Sequence, residues 1–509
     1  MAQTLATYLL EVDWDNDNAF EGGVEDITAY TREVEWSRGR DYASMLTGRS
    51  TAGLFTAILN NDDGRFNSFN SASPIGNANL LPGRKVKFST TSPSTTTLFV
   101  GFLDKIEPLP HVAGHHRARL RAIGPLGKIS QKKVHTSGNV NQLTGAAVGV
   151  VLDEAGWAAG DRTIDAGQTT LIRWWEDEVG AFDAMRDIEE TEVGFIGESA
   201  DGKIVFEDRH HRLKTPHTTI QATWSDAAAA SLRYGAIEQL DPLKEIYNVI
   251  EVPVRRFTVG PAATLWTLGE SGANSPPIVA GKARTWFATY PSLDAPANEV
   301  AVDAWTTPVS TTDYTANSAA DGTGTDLTSS LAFVVTKSAL VMEMVVTNNH
   351  ASLTAYLTLL QARGTPVISS DEAKVKVEDT PSQGKYGERT FTFPGPLQGE
   401  SEEAEEYGRF ILSIYKDPVP VLSVTFRANR EAAWLTEVLA RDISDRVTIV
   451  ANNNADLGIN EQFFIENMHH RVSVERFHTV TYEVSPASGY SGFWVLDTSL
   501  LDTQTALAY

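Results

Sequence analysis

The chain of 509 residues contains no cysteine, and this absence excludes several kinds of chemistry together. A chain without thiols forms no disulfides, offers no thiolate ligand to a metal ion and has no cysteine nucleophile. The same absence leaves the compartment undetermined, because no thiol responds to the redox state of the surroundings.

Long apolar runs are also missing. No stretch of eighteen apolar residues occurs, so we expect no membrane-spanning segment and no membrane anchor. The N-terminal sequence MAQTLATYLLEVDWDNDN has no basic region and only a short apolar patch, and it therefore predicts no signal peptide.

Basic residues are scarce relative to acidic ones. The chain has 42 Lys and Arg residues against 65 Asp and Glu residues, which gives a formal net charge of −23. A surface with this balance repels the phosphate backbone, so sequence-reading nucleic-acid binding is not expected. The same charge would suit a surface past which a polyanion slides without adhering.

The rest of the composition is typical of folded protein. Hydrophobic residues make up 42% of the chain, and its length predicts about three or four domains. From Thr7 to about Ile123, short segments with alternating apolar residues are separated by clusters of Asn, Asp, Gly, Pro and Ser. Because no helix-like stretch separates them, these strands predict an antiparallel sandwich or barrel.

The pattern changes near Pro125. The stretches NQLTGAAVGVVLDEAGW and EDEVGAFDAMRDIEETEVG have helical spacing, and Gly156 is the expected stop of the first. VGFIGESADGKIVFEDR then predicts a hairpin that turns at Asp201 and Gly202, so residues 126–215 predict a small α+β module. The apolar helical positions are Leu143, Ala147, Val150, Val151 and Leu152 in the first stretch, and Val179, Phe182, Met185 and Ile188 in the second.

Strand patterns return from Ile220, and a region rich in Thr, Ser, Ala, Asn and Gly follows from about Val259 to Thr365. Its alternating runs predict an inserted β-sandwich. SEEAEEYGRFILSIYKDP then predicts a helix, because its first turn is acidic, its apolar residues form a stripe and Pro418 ends it. Strand patterns continue from there to Pro486.

Two acidic stretches resemble cation loops. In the first, Asn60–Asp63 precede Gly64 after a strand, and a calcium loop starting at Asn60 would place the non-coordinating Ala72 at its twelfth position. A turn is therefore favoured. In the second, DWDNDNAFEGG, three aspartates have the spacing of the first, third and fifth calcium-loop positions, but Asn18 and Val24 occupy the sixth and twelfth. A loop between strands is favoured there too. The three aspartates are Asp13, Asp15 and Asp17.

Histidine occurs in three adjacent pairs. Neighbouring residues on a strand point to opposite faces, so such a pair does not chelate one ion well, and solvated strand histidines are the default interpretation. No HExxH motif is present. The pairs are His115-His116, His210-His211 and His469-His470.

Catalytic motifs are not visible either. The sequence has no GxSxG elbow, no Walker loop and no GxGxxG after a strand. We therefore predict no catalytic, cofactor-binding or metal-binding residues and no cofactor. A glycosidase carboxylate pair stays open as an alternative, since any two of the 65 acids could converge in the fold.

Three groups of stretches together resemble one known family. The first group is ITAYTREVEWSRGRD, AGLFTAILNNDDGRFNS, PIGNANLLPGRKVKF and LFVGFLDKIEP. The second is LTGAAVGVVLDEAGW, DRTIDAGQTTL and FDAMRDIEETEVGFIGESADGKIVFEDRHHR, and the third is DISDRVTIV and GINEQFFIENMHHRVSVERFHTVTYEVSPA. In their order and spacing, these stretches resemble the tail hub proteins of tailed bacteriophages, also called minor tail or baseplate hub proteins.

The resemblance implies a mainly β fold with α+β parts. It consists of two tail-tube-like β-barrel domains, a small α+β module and an inserted β-sandwich. The implied division is barrel domain 1 at 1–125, the α+β module at 126–215, a split barrel domain 2 at 216–260 and 371–490, the insert at 261–370 and a C-terminal tail at 491–509.

The resemblance further implies a non-enzymatic structural hub at the distal end of a phage tail. The protein would be made in the host cytoplasm, reside at the tail tip of the virion, join the tail tube to tip and fibre proteins, and line the DNA channel. The implied partners are two further copies in a homotrimer, the tail tube or distal tail ring protein, the tape-measure protein and tail fibre or receptor-binding proteins. DNA would only pass through the lumen. The alternatives are a glycan-binding adhesin that uses 261–370, and a cell-wall or capsule glycan hydrolase.

Overall fold

Strands dominate the computed structural model of the chain. They take up 44% of it and helices 17%, so the prediction of a mainly β chain is confirmed. Most of the C-terminal tail predicted at 491–509 lies outside the described residues. The structure describes residues 5–40, 50–111, 114–228, 230–240, 246–268, 276–292, 295–418, 421–488, 493–494 and 506–507.

The described α-helices are short, and none of them combines the length and the apolar composition that a membrane crossing needs. They are α1 (Pro125–Ile129), α2 (Thr144–Glu154), α3 (Ala181–Glu192), α4 (Thr380–Tyr386), α5 (Ser401–Tyr415) and α6 (Ala432–Ala440). The strands are β1 (Thr7–Val12), β2 (Thr31–Gly39), β3 (Leu54–Asn60), β4 (Lys85–Ser92), β5 (Thr96–Leu109), β6 (Arg117–Ile123), β7 (Lys133–His135), β8 (Asn139–Leu143), β9 (Arg162–Ile164), β10 (Thr170–Trp174), β11 (Asp177–Gly180), β12 (Phe195–Glu198), β13 (Ile204–Glu207), β14 (Ala222–Ser225), β15 (Ala236–Leu240), β16 (Val249–Val254), β17 (Phe257–Val259), β18 (Ala263–Thr267), β19 (Pro277–Ile278), β20 (Ala283–Thr289), β21 (Glu299–Trp305), β22 (Tyr314–Asn317), β23 (Leu331–Lys337), β24 (Val341–Asn348), β25 (Ala355–Ser369), β26 (Ala373–Glu378), β27 (Thr390–Thr392), β28 (Val421–Arg427), β29 (Arg446–Ala451), β30 (Ile459–Val472), β31 (His478–Pro486), β32 (Phe493–Trp494) and β33 (Ala506–Leu507).

The largest sheet contains the same six-stranded arrangement twice. In unit one, strands β1–β6, the order across the sheet is β1-β4-β5-β6-β3-β2. In unit two, strands β14, β15 and β28–β31, the order is β14-β29-β30-β31-β28-β15, which is the same order by rank along the chain. The units differ in one pairing, because β1 is antiparallel to β4 whereas β14 is parallel to β29.

The two units are joined side by side through a strand ladder. We call this ladder the seam: β2 of unit one runs antiparallel to β30 of unit two, from Val34 opposite Val472 to Gly39 opposite Asn467. In the described part of the chain, β1 and β15 are the two ends of the strand path and do not pair with each other, so this sheet is open.

One apolar core runs under both units. In β3, Phe55, Ala57 and Leu59 are buried, whereas the residues between them face the other side of the sheet. This period of two is the strand signal seen in the sequence, and it continues through unit two, where Val480, Tyr482 and Val484 join the same core.

Residues 126–215 form a module with a core of its own. Helices α2 and α3 pack in it together with the hairpin of β12 and β13, so the predicted helices and hairpin are confirmed. Leu143 and Val179 are corrections, because their backbones are extended in β8 and β11, and the two helices begin at Thr144 and Ala181. Gly156 has a φ of +71°, which suits the end of a helix.

The predicted helix 401–418 is confirmed as α5. It packs through Tyr407 and Ile411 onto a small sheet in which β16 lies between β26 and β27. Although β16 and β26 fall in the ranges expected for barrel domain 2, this sheet is separate from unit two and has its own core.

The insert consists of two sheets around a common core. The long strand β25 pairs with β17, β18, β19, β21 and β22, and β24 lies between β20 and β23. Met342 and Met344 from one sheet and Leu357 and Leu360 from the other share this core. The insert contacts the α+β module through an ion pair of Arg173 with Asp303 and through an edge-to-face contact of the Trp175 and Phe257 rings.

Candidate functional site at the junction of the units

The solvent-facing side of the seam carries ion pairs. The Arg471 guanidinium lies 2.5 Å from Glu33 Oε1, and His469 Nε2 lies 2.8 Å from Glu35 Oε1. All four side chains have access to solvent, so each pair contributes about 0.2–1 kcal/mol at most. The backbone ladder and the core beneath it therefore hold the seam together.

The buried side of the seam carries a chain of polar rings. The Tyr8 hydroxyl lies 2.8 Å from His478 Nδ1, and His478 Nε2 lies 3.0 Å from His470 Nδ1. The His470 ring stacks on Trp36 with 4.5 Å between centroids. Since Tyr8 and Trp36 belong to unit one and both histidines to unit two, these rings tie the units together.

Burial keeps both of these histidines neutral. It lowers the pKa of His478 to about 3 and the pKa of His470 well below its ordinary value. The expectation of solvated strand histidines holds for His469 and is wrong for His470. The two alternate along β30, so His469 faces solvent and His470 faces the core.

A buried ion pair fixes the α+β module to the seam. Glu466 lies at a bulge in β30 between Ile465 and Asn467, and Arg212 binds it through two contacts of 2.7 and 2.8 Å. Ser485 Oγ donates to the same carboxylate at 2.5 Å. Burial alone would raise the pKa of Glu466, but the Arg212 charge reverses this effect and lowers it to about 2.

A second attachment joins the module to unit one. The Glu198 carboxylate at the end of β12 accepts the N–H groups of Gly53 and Leu126, at 2.7 and 2.6 Å. Arg38 in β2 donates to the Glu198 carbonyl at 3.0 Å and to Asp442 at 2.9 Å. One arginine of the seam thus contacts both the module and the loop that precedes β29.

A cavity of about 220 Å³ lies where the module and the two units meet. Two histidines line it: His211 Nδ1 lies 2.7 Å from Asp165 Oδ2, and His217 Nδ1 lies 2.7 Å from the Ser444 carbonyl. Ser444 Oγ also donates to Glu207 at 2.6 Å. The contact of Ser444 with Glu207 crosses from the loop before β29 to the module, so the cavity lies at a joint between modules.

The acidic stretch at Asp13–Asp17 forms a loop between β1 and Asp26. The buried Asp13 carboxylate accepts the N–H groups of Asn16, Asp17 and Asn18, so it holds the loop backbone in shape. Carboxylate oxygens of Asp13, Asp15 and Asp17 lie within 4.8 Å of one another, and those of Asp15, Glu21 and Glu25 do as well. The absence of a metal site stays a prediction.

The turn predicted at Asn60–Gly64 is confirmed, and it begins a longer series. Gly64 has a φ of +69° and donates its N–H to the Asn61 carbonyl. The same contact recurs every third residue, with N–H donors at Asn67, Asn70, Ser73, Gly76 and Asn79. We call residues 61–79 the turn ribbon.

The contacts that define the junction could not be found by local sequence patterns. Arg212 and Glu466 are 254 positions apart, and Tyr8 and His478 are 470 apart. The sequence His-His-Arg occurs three times, at 115–117, 210–212 and 469–471, and only the second and third copies supply groups to the joint, so the motif by itself did not identify the joint.

Comparisons with known proteins give matches only among solved structures. No protein-family model matches the chain, and no curated protein matches it. The chain is similar in fold to the 43 kDa tail protein of prophage MuSo2 from Shewanella oneidensis, with 9% identity, a TM-score of 0.48, and 95% of this chain and 99% of the other covered. A tail protein from Neisseria meningitidis MC58 gives 9% identity, a TM-score of 0.49, and coverage of 95% and 98%.

The E. coli c3393 protein, a component of the type VI secretion system, gives 8% identity, a TM-score of 0.41, and coverage of 94% of this chain and 77% of the other. Its description states a structural similarity to the T4 bacteriophage tail proteins gp27 and gp5. These descriptions name phage tail proteins and a component of the type VI secretion system.

Proposed function

We propose that the chain is a structural protein of a phage tail that acts as a hub at the distal end. In this role it joins the tail tube, or a distal tail ring, to tip and fibre proteins, and it contacts the tape-measure protein. The observation that carries the proposal is the repeated six-stranded unit, joined within one chain into a single open sheet.

The duplication suits a symmetry adaptor. Three copies of a chain with two similar units present six such units, which would match a six-fold tube on one side and a three-fold tip on the other. An open sheet leaves strand edges exposed, and a ring of copies removes them. We propose a homotrimer of tube-like barrels for this reason, with barrel domain 1 built on unit one within 1–125 and barrel domain 2 built on unit two within 216–260 and 371–490.

The solvent face of the large sheet suits the lining of a DNA channel. Along the seam its charges are paired, as in Glu33 with Arg471 and Glu35 with His469, and a hydroxyl pair, Thr425 with Thr481, lies beside them. Paired charges attract phosphates weakly, and the net charge of −23 repels them, so DNA would pass without being held.

The proposal is tested by mass and by assembly. Light scattering of the purified chain should give three times the chain mass of 55.4 kDa, and tails assembled without the protein should lack their tip. A stable monomer that never joins a tail or a tail-protein partner would contradict the hub. We propose no enzymatic role, and release of sugar from cell-wall or capsule glycan by the pure chain would overturn that part.

One observation favours a second role in the same protein, that of a glycan-binding adhesin. The outer face of the three-stranded sheet in the insert exposes Phe287, with 57% of its surface accessible, beside Glu343 and Thr336. A flat face with an exposed ring and polar neighbours can stack on a sugar. Glycan-array binding by the full chain that Phe287→Ala abolishes would support this role.

A further inference from the structure

The longest strand of unit one, β5, has a neighbouring strand on only one side along its C-terminal half. Strand β5 pairs with β4 only from Thr96 to Phe102, while β6 follows it on the other side as far as Leu109. In the described part of the chain, no strand lies on the β4 side of residues Lys105–Leu109. We call this segment the open edge.

The equivalent half of β30, the longest strand of unit two, has a neighbouring strand on both sides. Both β5 and β30 have 14 residues, and each has a bulge, at Asp104 and at Glu466. Aligning the bulges makes the open edge equivalent to Asn467–Arg471. That segment is the part of β30 that pairs with β2 across the seam.

The strand of unit two that is equivalent to β2 has no partner, among the described residues, on the side that β2 uses in the seam. In unit two this strand is β15, and its described pairing is with β28 alone. The residue pairs can be followed from β6 through β3 to β2 in unit one, and from β31 through β28 to β15 in unit two. This comparison makes Glu238 equivalent to Glu35 and Gln239 equivalent to Trp36. One chain therefore carries both halves of a second seam, but at two different places.

We infer that β15 of one copy docks on the open edge of β5 in a second copy and repeats the seam between subunits. This inference rests on the proposed assembly into a ring and names its contact. If the seam register is kept, Glu238 lies opposite Leu109 and Gln239 lies opposite Pro108. Because the two surfaces differ, the contact is head to tail, and three copies can close on themselves.

Two prolines give the open edge a specific character. In β2 the Arg40 N–H donates to Glu466 in β30, while the Gly39 carbonyl accepts from Thr51 on the other side, so alternate residues face β30. By this alternation, Pro108 and Pro110 are equivalent to the β30 residues that face β2. Proline has no N–H, so the edge offers carbonyl groups alone at these positions.

The carbonyl groups at Pro108 and Pro110 need a partner strand that supplies donors, whereas Ile106 keeps an N–H on the same side. Two open edges cannot pair with each other through these positions, which guards the free subunit against the wrong contact. By the same alternation, Ile237 and Gln239 in β15 direct their N–H groups outward and can supply the donors. The contact then has fewer hydrogen bonds than the seam.

Charged side chains of both signs lie beside the open edge. Arg117, Arg119 and Arg121 of β6 lie directly beside the open edge, opposite Leu109, Glu107 and Lys105. Neither Arg117 nor Arg121 lies within 4 Å of a carboxylate in the described chain. A docked Glu238 would lie opposite Leu109, one strand away from Arg117 and diagonally beside Glu107, which is equivalent to His469, the contact of Glu35 at the seam. Side-chain charge therefore does not favour the contact, and its backbone hydrogen bonds would hold it.

Cysteine cross-linking tests the contact directly, because the chain has no cysteine of its own. The variant Glu238→Cys with Leu109→Cys should form disulfides between copies on mild oxidation, and a non-reducing gel should show a ladder that ends at the trimer. The same pair at the seam, Glu35→Cys with Arg471→Cys, should close within one chain and leave the mass unchanged. Each single-cysteine variant on its own should give disulfide-linked dimer at no more than background level.

The outcomes separate this inference from the function on which it rests. A mixture of the two single variants should give a heterodimer band, whereas Leu109→Cys with the exposed Glu378→Cys should give only background. If the wild type forms the trimer but Glu238→Cys with Leu109→Cys does not cross-link, the contact is wrong and the hub proposal stands. If the wild type stays monomeric and joins no tail partner, the hub proposal itself fails.

A second pair of variants covers the case in which the cysteine chain misfolds. Gln239→Pro removes one outward N–H, and it should raise the dissociation constant of the trimer at least tenfold with no loss of the folded monomer. Gln239→Ala keeps the N–H and should assemble like the wild type. Equal assembly of both variants would overturn the inference.

Discussion

The two units share a strand order and differ in the chemistry at corresponding positions. The bulge in β5 carries Asp104, which is exposed, whereas the bulge in β30 carries Glu466, which is buried and bound by Arg212. The fold provides a bulge in both places, but only in unit two does the α+β module dock on it. At these two equivalent bulges, the buried carboxylate is found where the module docks, and the exposed carboxylate is found where it does not.

A second difference concerns the connection between the third and fourth strands. In unit one it includes the turn ribbon, which buries Phe66 and Ile75, and in unit two it includes helix α6, which buries Leu435 and Val438. Both connections add to the same core. A polar ribbon and a helix are thus interchangeable at this point as long as each supplies apolar side chains to close the core.

The largest expected effect comes from the buried bulge. Glu466→Ala removes the carboxylate that the buried Arg212 guanidinium binds through two contacts, so we expect a loss of about 3–5 kcal/mol in the free energy of unfolding. Urea unfolding followed by circular dichroism measures this loss.

The control is the equivalent position in unit one. Asp104→Ala removes an exposed carboxylate at the same point of the fold, and it should change stability by no more than about 0.5 kcal/mol. Similar losses from both variants would show that the bulge itself, and not the docked arginine, sets the stability.

The buried rings of the seam should make stability depend on pH. The unfolded chain protonates His478 near its ordinary pKa of 6.5, while the folded chain resists protonation down to a pKa of about 3. His478 therefore does not lower the free energy of unfolding above pH 6.5. As the pH falls from 6.5 toward 3, protonation of this group in the unfolded chain lowers the free energy of unfolding by about 1.4 kcal/mol for each pH unit. Unfolding measured from pH 7 to pH 4 would show the loss.

Comparison with His478→Gln isolates this effect. Burial raises the pKa of Glu189 and Glu198 to about 7, so these carboxyls lose their stabilising effect as the pH rises through that range and oppose the histidine slope. The variant keeps both carboxyls and lacks the imidazole, so its stability should fall less steeply below pH 6.5. Parallel curves for the two proteins would rule out the histidine as the cause.

The close approach of β2 to β30 gives the next effect. Gly39 has a φ of +128°, and a Cβ there would meet the backbone of Glu466 and Asn467. Gly39→Ala should therefore cost roughly 3 kcal/mol from strain and displacement of the seam. Gly83 has a φ of +84° with open space around its Cβ position, so Gly83→Ala should cost only about 1–2 kcal/mol from backbone strain. Equal thermal shifts would argue against close contact at the seam.

Local structure could be predicted from the sequence where its signal was local. The helices α2, α3 and α5 and the hairpin at Asp201-Gly202 follow from periodicity and turn residues within short windows. Helix α6 was missed although Trp434, Leu435 and Val438 have helical spacing, because the strand patterns on either side dominated the interpretation.

The junction could not be predicted in this way. The seam joins residues 34–39 to residues 467–472, and no pattern within either segment specifies the other. The burial of His470 depends on that pairing, as does the neutral state of the whole ring chain. Three identical His-His-Arg stretches, at 115–117, 210–212 and 469–471, thus have different surroundings, since the tertiary fold decides which histidine faces the core.

The smallest expected effect comes from the exposed ion pairs of the seam, and it shows how little of the junction depends on them. Arg471→Ala removes the partner of Glu33, yet it should cost only about 0.2–1 kcal/mol in urea unfolding, and the loss should shrink further in high salt. Val480→Ala, in the core beneath the same ladder, should cost more, about 1–3 kcal/mol, independently of salt. A larger, salt-sensitive loss from Arg471→Ala would mean that charge, and not the ladder with its buried side, holds the two units together.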